Sequence, residues 1–189
     1  KIAVLEKGWV GGGNVGRNTT IIRSNYMLNK NQAFYEFSLK LWERIEKDIN
    51  YNAMVSQRGI INLFHSDAQR DSYIRRGNTM RIHGTDAILL NQDEVKKKYP
   101  FLNYDNARFP IKGGLWQPRG GTVRHDAVAW GYAHAADKYG VDIIENCEVV
   151  GFDIANGKCL GVKTNKGNIK ANKIGVAVAG NSSKVMNMA

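Results

Sequence analysis

Apolar residues recur every three or four positions between residues 31 and 49 of the sequence. The repeated positions are Phe34, Phe37, Leu41, Ile45 and Ile49, and Trp42 widens the stripe. This spacing corresponds to one face of an α-helix, so it predicts an amphipathic helix that buries its apolar side.

Three further segments have helical patterns. Residues 67–82 form one of them, and residues 126–139 form an alanine-rich one that ends at Gly140. Between them, Asn91 and Glu94 have the spacing of a capping box, which predicts a short helix that stops before Pro100.

Runs of aliphatic and β-branched residues predict strands at residues 2–5, 54–64 and 107–118, with a bend at Gly59. After Gly140 the chain reads "VDIIENCEVVGF", "CLGVKT" and "IGVAVAG", and the pairs Asn156-Gly157 and Lys166-Gly167 predict turns between these runs. Strands that alternate with helices in this way are typical of an α/β fold.

Charge and cysteine content exclude several classes of protein. The 189 residues include 27 Lys and Arg against 17 Asp and Glu, a formal net charge of +10. The basic residues are scattered, without the patterns of nucleic-acid-binding proteins, so no nucleic-acid partner is expected.

No apolar run is long enough to span a membrane. Cys147 and Cys159 lack metal-ligand spacing and are predicted to be reduced core thiols of a cytoplasmic protein.

The stretch "VLEKGWVGGGNVGRNTT" contains a literal G-x-G-x-x-G at residues 11–16. In a dinucleotide-binding fold these glycines follow the first strand at once, whereas here five residues separate Leu5 from Gly11. An acid directly after an apolar strand is instead typical of the second strand, where it accepts hydrogen bonds from the ribose hydroxyls. Glu6 is either that acid, with the first strand and the glycine fingerprint upstream of Lys1, or a surface residue at a strand end.

The last strand-like run favours a flavin-binding sheet. "IGVAVAG" ends in Gly180, where a glycine allows the backbone to approach a cofactor closely. In the preceding run, the backbone of Val149 is expected near the adenine.

Four segments, "VLEKGWVGGGNVGRNTTIIRSNY", "SQRGIINL", "RHDAVAWGYAHAADKYGVDIIENCEV" and "VAVAGNSS", occur in this order. Together they closely resemble the beta subunit of the bacterial heterotetrameric sarcosine oxidases, within the larger family of FAD-dependent amine oxidases that includes D-amino acid and glycine oxidases. The resemblance implies an incomplete Rossmann-like FAD-binding domain, formed by residues 1–30 and 120–189. A mixed α+β substrate domain, residues 31–119, is inserted into it.

The resemblance also implies roles for individual residues. Glu6 and Lys7 would contact the adenosine ribose, and the residues along the pyrophosphate and flavin would be Asn14, Arg17, Asn18 and Thr19. On this interpretation the glycine triplet is not the fingerprint but still belongs to the site. Arg58 is the expected clamp for a substrate carboxylate, and no catalytic acid or base is assigned.

His125 lies in "RHDAVAWG", which matches the segment in which these beta subunits carry FMN covalently bound to a histidine. The positive end of the following helix favours a neutral imidazole, which is nucleophilic toward a flavin methyl group. Arg124, Arg23 and Ser24 are candidates to hold the FMN phosphate or to stabilise an anionic flavin.

The implied activity is oxidation of sarcosine or a similar secondary amine to an imine. Electrons would pass from FAD to the covalent FMN and then to oxygen, giving hydrogen peroxide. The implied partners are the alpha, gamma and delta subunits of a heterotetramer and a small N-methyl amine substrate. The sequence is also compatible with two alternatives: an FAD-only amine or amino acid oxidase or dehydrogenase, and a non-catalytic flavoprotein fragment or partner-binding module.

Overall fold

The helical and strand patterns of the sequence become five α-helices and ten strands in the computed structural model, which describes residues 1–189. The helices are α1 (Asn29–Ile49), α2 (Asp67–Ile82), α3 (Gln92–Lys98), α4 (His125–Lys138) and α5 (Ser182–Met186). The strands are β1 (Ile2–Leu5), β2 (Ile21–Ile22), β3 (Ile60–Phe64), β4 (Ile88–Asn91), β5 (Gly113–Gln117), β6 (Gly121–Thr122), β7 (Val141–Ile144), β8 (Val149–Ala155), β9 (Lys158–Thr164) and β10 (Gly167–Lys170). Two 3-10 helices are at Asn14–Arg17 and Ala179–Asn181.

The chain divides into two units, of which the first comprises residues 1–17 and 132–189. In this unit β1 pairs in parallel with β7, in the register Ile2↔Val141 to Leu5↔Ile144. β8, β9 and β10 form an antiparallel sheet. The predicted Asn156-Gly157 turn joins β8 to β9, and both residues have positive φ, 50° and 71°, as a two-residue hairpin of this type requires.

The second unit comprises residues 18–131. Its main sheet has the antiparallel strand order β3-β5-β4. Two apolar clusters pack on this sheet: Met80, Ala87 and Leu115 form one, and Leu90, Val95 and Ile111 form the other. A second, short ladder joins β2 to β6.

Several predicted bounds are confirmed. α2 has the predicted range, and α3 begins with the predicted capping box of Asn91 and Glu94. α4 begins at His125, one residue before the predicted start, and Gly140 follows with a φ of 75°. The predicted strand over residues 54–64 is shorter than expected, since its ladder starts only after Gly59, whose φ is 86°.

The predicted buried face of α1 is wrong over the first half of the helix. The exposed members of the stripe are Phe34, Phe37 and Leu41, at 68%, 63% and 46%. In their place Gln32, Glu36 and Leu39 are buried, while the last two residues of the stripe are buried as predicted. The reason is that Gln32 and Glu36 hydrogen-bond to polar groups inside the unit.

Two predictions near the C-terminus need correction. Residues 173–178 form no strand, since no ladder of this unit includes them, and Gly180 lies in a 3-10 helix that leads into α5. Both cysteines are free as predicted, but only Cys147 is buried. Cys159 is exposed, as are the residues on either side of it at the start of β9, so it is not a core thiol.

Candidate functional site

A turn at the end of β1 is stabilised by the side chain of Glu6. Its Oε1 accepts a hydrogen bond from the backbone N of Gly8 at 2.8 Å. The backbone N of Glu6 donates to the carbonyl of Ile144 at 3.0 Å, which continues the β1–β7 pairing. Glu6 is half-buried, and its Oε2 makes no hydrogen bond within the chain. This oxygen is therefore an available acceptor.

The same turn brings Lys7 close to the start of β8. Lys7 Nζ lies 2.7 Å from Glu148 Oε1, and both side chains are exposed to solvent. The hydrogen bond from this ammonium group lowers the pKa of Glu148 below its usual value. Val149, the next residue, begins β8, so the structure brings three of the predicted adenosine contacts into one region of the first unit.

The glycine-rich loop after this turn does not lead into an α-helix. It forms turns and then the 3-10 helix Asn14–Arg17, whereas the dinucleotide fingerprint requires an α-helix whose N-terminus faces the phosphates. Gly12 lies against the indole of Trp9, where an added Cβ would be only 2.7 Å from Cε2, while Gly13 has open space around it. The glycines thus serve local packing and turn geometry, and Asn14 and Arg17 are exposed.

In the second unit, five predicted site residues lie near the two ends of the β2–β6 ladder, namely Asn18, Thr19, Arg23, Arg124 and His125. The register is Ile21↔Thr122 and Ile22↔Gly121, and Val123 N donates to Thr20 O at 3.0 Å. Asn18 and Thr19 precede β2, and residues 124 and 125 follow β6. Because the two strands are antiparallel, all four residues lie at the same end of the ladder. Asn18 Oδ1 accepts from Thr20 N at 2.7 Å, which forms the turn into β2. Arg23 follows the opposite end.

His125 is the first residue of α4 and is half-buried. Its Nδ1 has no solvent exposure and no hydrogen-bond partner. The residues on either side of it form an ion pair, with Arg124 Nε 2.8 Å from Asp126 Oδ1. This hydrogen bond lowers the pKa of Asp126 and raises that of Arg124. An imidazole with one enclosed nitrogen therefore lies between two paired charges at a helix start.

Arg23 is held by its neighbours in the segment after β2. Its Nη1 donates to Asn25 Oδ1 at 3.0 Å, and its guanidinium carbon lies 5.3 Å from the centroid of the Tyr26 ring. Arg58, in contrast, is exposed in the loop before β3 and makes no hydrogen bond or ion pair within the chain. A free guanidinium of this kind can bind a carboxylate.

Ser24 is completely buried in a set of polar side chains that the sequence did not predict. We call this set the Glu36 cluster, and its members are Ser24, Gln32, Glu36, Thr85, Gln117 and Arg119. The carboxylate of Glu36, only 5% exposed, accepts from Ser24 Oγ at 2.7 Å, Thr85 Oγ1 at 3.0 Å and Arg119 Nη1 at 2.7 Å. The Ser24 hydroxyl thus already has a protein acceptor, and its proposed FMN contact stays a prediction.

Arg119 joins the Glu36 cluster to two further carboxylates. Its Nε and Nη2 donate to the two oxygens of Glu43 at 2.8 and 2.9 Å, and its backbone N donates to Asp86 Oδ2 at 2.6 Å. The hydrogen bond from Arg119 lowers the pKa of Glu43, and Glu43 in turn raises the pKa of Arg119. The only sequence signal for this cluster is that Gln32 and Glu36 are spaced by one helical turn on α1.

Comparison with known proteins identifies the family. The family described as FAD dependent oxidoreductase matches the chain over residues 1–189. The chain belongs to this family.

Relatives of this FAD-dependent oxidoreductase chain include bacterial sarcosine oxidase subunits. The sarcosine oxidase subunit beta of Rhizobium meliloti is 66% identical over 188 residues, covering 100% of this chain and 45% of that protein. The subunit beta from Arthrobacter sp is 47% identical over 189 residues, covering 100% of this chain and 47% of that protein. The chain therefore spans a little under half the length of these relatives.

Solved structures agree with this assignment. L-proline dehydrogenase from P. horikoshii is 26% identical and superposes with a TM-score of 0.89, over 98% of this chain and 48% of its own. Glycine oxidase from Bacillus cereus, at 21% identity and a TM-score of 0.86 over 99% of this chain and 51% of its own, shares the fold. The predicted fold class is thereby confirmed.

The residues present fit an FAD-dependent oxidoreductase. Glu6 Oε2 is an acceptor without a partner, suited to a ribose hydroxyl, and it lies at the end of a strand in a parallel pair. The structure contains no group of three or more His, Cys, Asp or Glu residues that could hold a metal ion. None of its helices is both long and apolar enough to cross a membrane.

Proposed function

We propose that this chain is the flavin-binding part of a sarcosine oxidase beta subunit, which oxidises sarcosine or a similar secondary amine to an imine. The observation that carries the proposal is the 66% identity to the Rhizobium meliloti subunit beta over 188 residues. When bound, FAD would supply the two-electron acceptor for this oxidation, and FMN would supply the route for the electrons to oxygen, giving hydrogen peroxide.

In this proposal Glu6 binds the adenosine ribose through Oε2, because its other oxygen is already bonded to the turn. Lys7 contacts the same ribose after leaving Glu148, its exposed partner. The Val149 backbone faces the adenine, Gly180 allows close approach of the backbone, and the pyrophosphate and flavin contacts are Asn14, Arg17, Asn18 and Thr19. Arg58 clamps the substrate carboxylate, which its lack of a protein partner supports.

His125 is the proposed point of attachment for FMN. Since Nδ1 is fully enclosed, a bond to flavin at that atom would require the surrounding groups to move, so we assign the bond to Nε2. Arg124 and Arg23 supply positive charge for a phosphate or an anionic flavin. Arg124 would do so by breaking its ion pair with Asp126 and pairing with the flavin.

The domain organisation and the partners belong to the same proposal. Residues 1–30 and 120–189 form the FAD-binding domain, and residues 31–119 form the substrate domain. The two compact units differ from these domains, because their boundaries lie at residues 17/18 and 131/132. The β2–β6 ladder and the Glu36 cluster connect residues 18–30 and 120–131 to the sheet of the second unit. The partners are the alpha, gamma and delta subunits, and the compartment is the cytoplasm.

The test is the variant His125→Asn in the full-length subunit assembled with its partners. The wild-type His125 peptide should carry the mass of one FMN, and the variant should lose it while FAD stays bound. Sarcosine should still reduce FAD without oxygen, whereas electron transfer to oxygen should slow. His134→Asn, an exposed position on the same helix, is the matched control and should keep the modification.

A second candidate is an oxidase or dehydrogenase that uses FAD alone. It is favoured by the superposition on L-proline dehydrogenase at a TM-score of 0.89, since proline is also a secondary amine. A wild-type His125 peptide without flavin, in a complex that still oxidises sarcosine, would replace the first proposal by this one.

A further inference from the structure

The Glu36 cluster holds two backbone positions that belong to no ladder, namely residues 24–26 and Arg119. In the first segment, Ser24 N donates to Gln117 Oε1 at 3.0 Å, and Tyr26 N is shared between Gln32 Oε1 and Ser24 O, both at 3.0 Å. Side-chain amides thus take the place of a neighbouring strand. The position of residues 24–26 therefore depends on where these side chains are held.

The second segment contains Arg119 and leads to His125. Arg119 is fixed at two edges of its guanidinium group, by Glu36 and Glu43, and at its backbone N, by Asp86. Its carbonyl accepts from the side chain of Gln57 at 2.7 Å. The segment is thereby anchored six residues before the imidazole.

The chain between Arg119 and His125 is packed too tightly to absorb a shift of its anchor. A Cβ added at Gly121 would lie 2.1 Å from Ser56 O, and one added at Gly120 would lie 2.6 Å from the side chain of Ile60. Thr122 N and Ser56 N each donate to the other residue's carbonyl, at 2.9 and 2.8 Å. A displacement of Arg119 is therefore transmitted along the strand toward His125, because well-packed backbone deforms little.

Glu36 connects the two segments through a single carboxylate. Its Oε2 binds Ser24 from the first segment, and its Oε1 binds Arg119 from the second. The geometry points to Glu36 and Arg119 as positioning residues: together they fix the segment that carries Arg23 relative to the segment that carries His125. The inference rests on the proposed function in one respect, namely that the group between these residues is the covalent flavin.

The test compares Glu36→Gln with two matched variants in the full-length subunit assembled with its partners. Asp48→Asn removes an exposed carboxylate from the same helix. Val95→Ala destabilises the apolar core without touching the Glu36 cluster. Turnover is expressed per mole of bound flavin, so molecules that fail to fold do not affect it, and the visible spectrum of the flavin is recorded alongside.

Glu36→Gln should lower kcat per flavin by about tenfold, within the range found when reacting groups are slightly misplaced, and should leave KM for sarcosine within about twofold. It should also shift the visible spectrum of the covalent flavin. Both controls should retain the wild-type kcat per flavin and spectrum. If Glu36→Gln does not assemble, Thr85→Val removes one of the three donors to Glu36 and should shift the spectrum in the same direction by a smaller amount.

The outcomes separate the two proposals. If the wild-type His125 peptide carries no flavin, the proposed function fails and the positioning role fails with it. If it carries the flavin, but Glu36→Gln and Thr85→Val keep the kcat per flavin and the spectrum of the controls, only the positioning role is overturned. In that case the Glu36 cluster serves stability alone.

Discussion

Replacing Arg119 by methionine should destabilise the protein far more than the same change at an exposed arginine. Arg119 provides the only positive charge within 4.0 Å of Glu36, whose side chain is 6% exposed. After Arg119→Met the Glu36 carboxylate keeps only the two hydroxyl donors, Ser24 and Thr85. A buried charge would then remain without a counter-ion.

The expected cost follows from the burial of the pair. Removing one partner of a buried ion pair costs about 3–5 kcal/mol, because the other charge stays desolvated. The Arg119 side chain is 32% exposed, so water reaches part of the pair and the expected loss is about 3 kcal/mol at the low end of that range. Arg44 lies on α1, the helix that carries Glu36, and pairs with Asp48; the two side chains are 65% and 43% exposed. Arg44→Met breaks this exposed ion pair and should cost about 0.3–0.5 kcal/mol.

The measurement is the free energy of unfolding in urea of the full-length subunit and both variants. The double variant Arg119→Met/Glu36→Gln provides a further check, since a neutral amide at position 36 no longer needs the guanidinium. It should be more stable than Arg119→Met alone. A loss at Arg119 no greater than that at Arg44, or a double variant that is less stable still, would show that Glu36 does not depend on this counter-ion.

Two further predictions concern individual carboxylates. Glu6→Ala in the full-length subunit should weaken FAD binding by about 1–3 kcal/mol through the loss of hydrogen bonds to a charged acceptor; an unchanged dissociation constant in a flavin titration would return Glu6 to a structural role. The hydrogen bond from Arg119 lowers the pKa of Glu43 in the folded state below its ordinary value of 4.5. The ionised Glu43 carboxylate therefore stabilises the fold at a pH above 4.5, and this contribution is lost as the pH falls through the lowered folded-state pKa. Between about pH 5 and about pH 3, wild-type unfolding free energy should therefore decrease more than that of Glu43→Gln; equal slopes would contradict this.

The sequence predicted the helices well, because their signals are local. The capping box at Asn91, the Gly140 stop and the periodicity of α2 each lie within a few residues of the element that they define. The strands were less predictable, since a strand forms only where a partner exists. "IGVAVAG" has a strong strand composition, yet no described ladder includes it.

The candidate site was predictable in part for the same reason. Glu6 follows from the change of an apolar strand to an acid, whereas His125 was indicated only by the resemblance of "RHDAVAWG" to the FMN-bearing segment of the family. The Glu36 cluster could not be predicted, because it joins separate segments of the chain, represented by residues 24, 32, 36, 85, 117 and 119. Each of these residue types is also common on surfaces, so none of them indicates burial by itself.

The inverted face of α1 and the Glu36 cluster have one physical cause. The segment at residues 24–26 has backbone donors in the protein interior, and an apolar helix face would leave them unpaired at about 1–3 kcal/mol each. Gln32 supplies an acceptor for Tyr26 N, and Glu36 fixes Ser24 and the Arg119 segment. Burying Gln32 and Glu36 turns Phe34 outward, since it lies two positions from each of them and residues two apart do not share a helix face. Phe37 lies three positions after Phe34 and is therefore on the same outward side. The apolar periodicity of the sequence therefore indicated the correct helix but not its orientation, which is determined by the hydrogen bonds of a segment that has no strand partner.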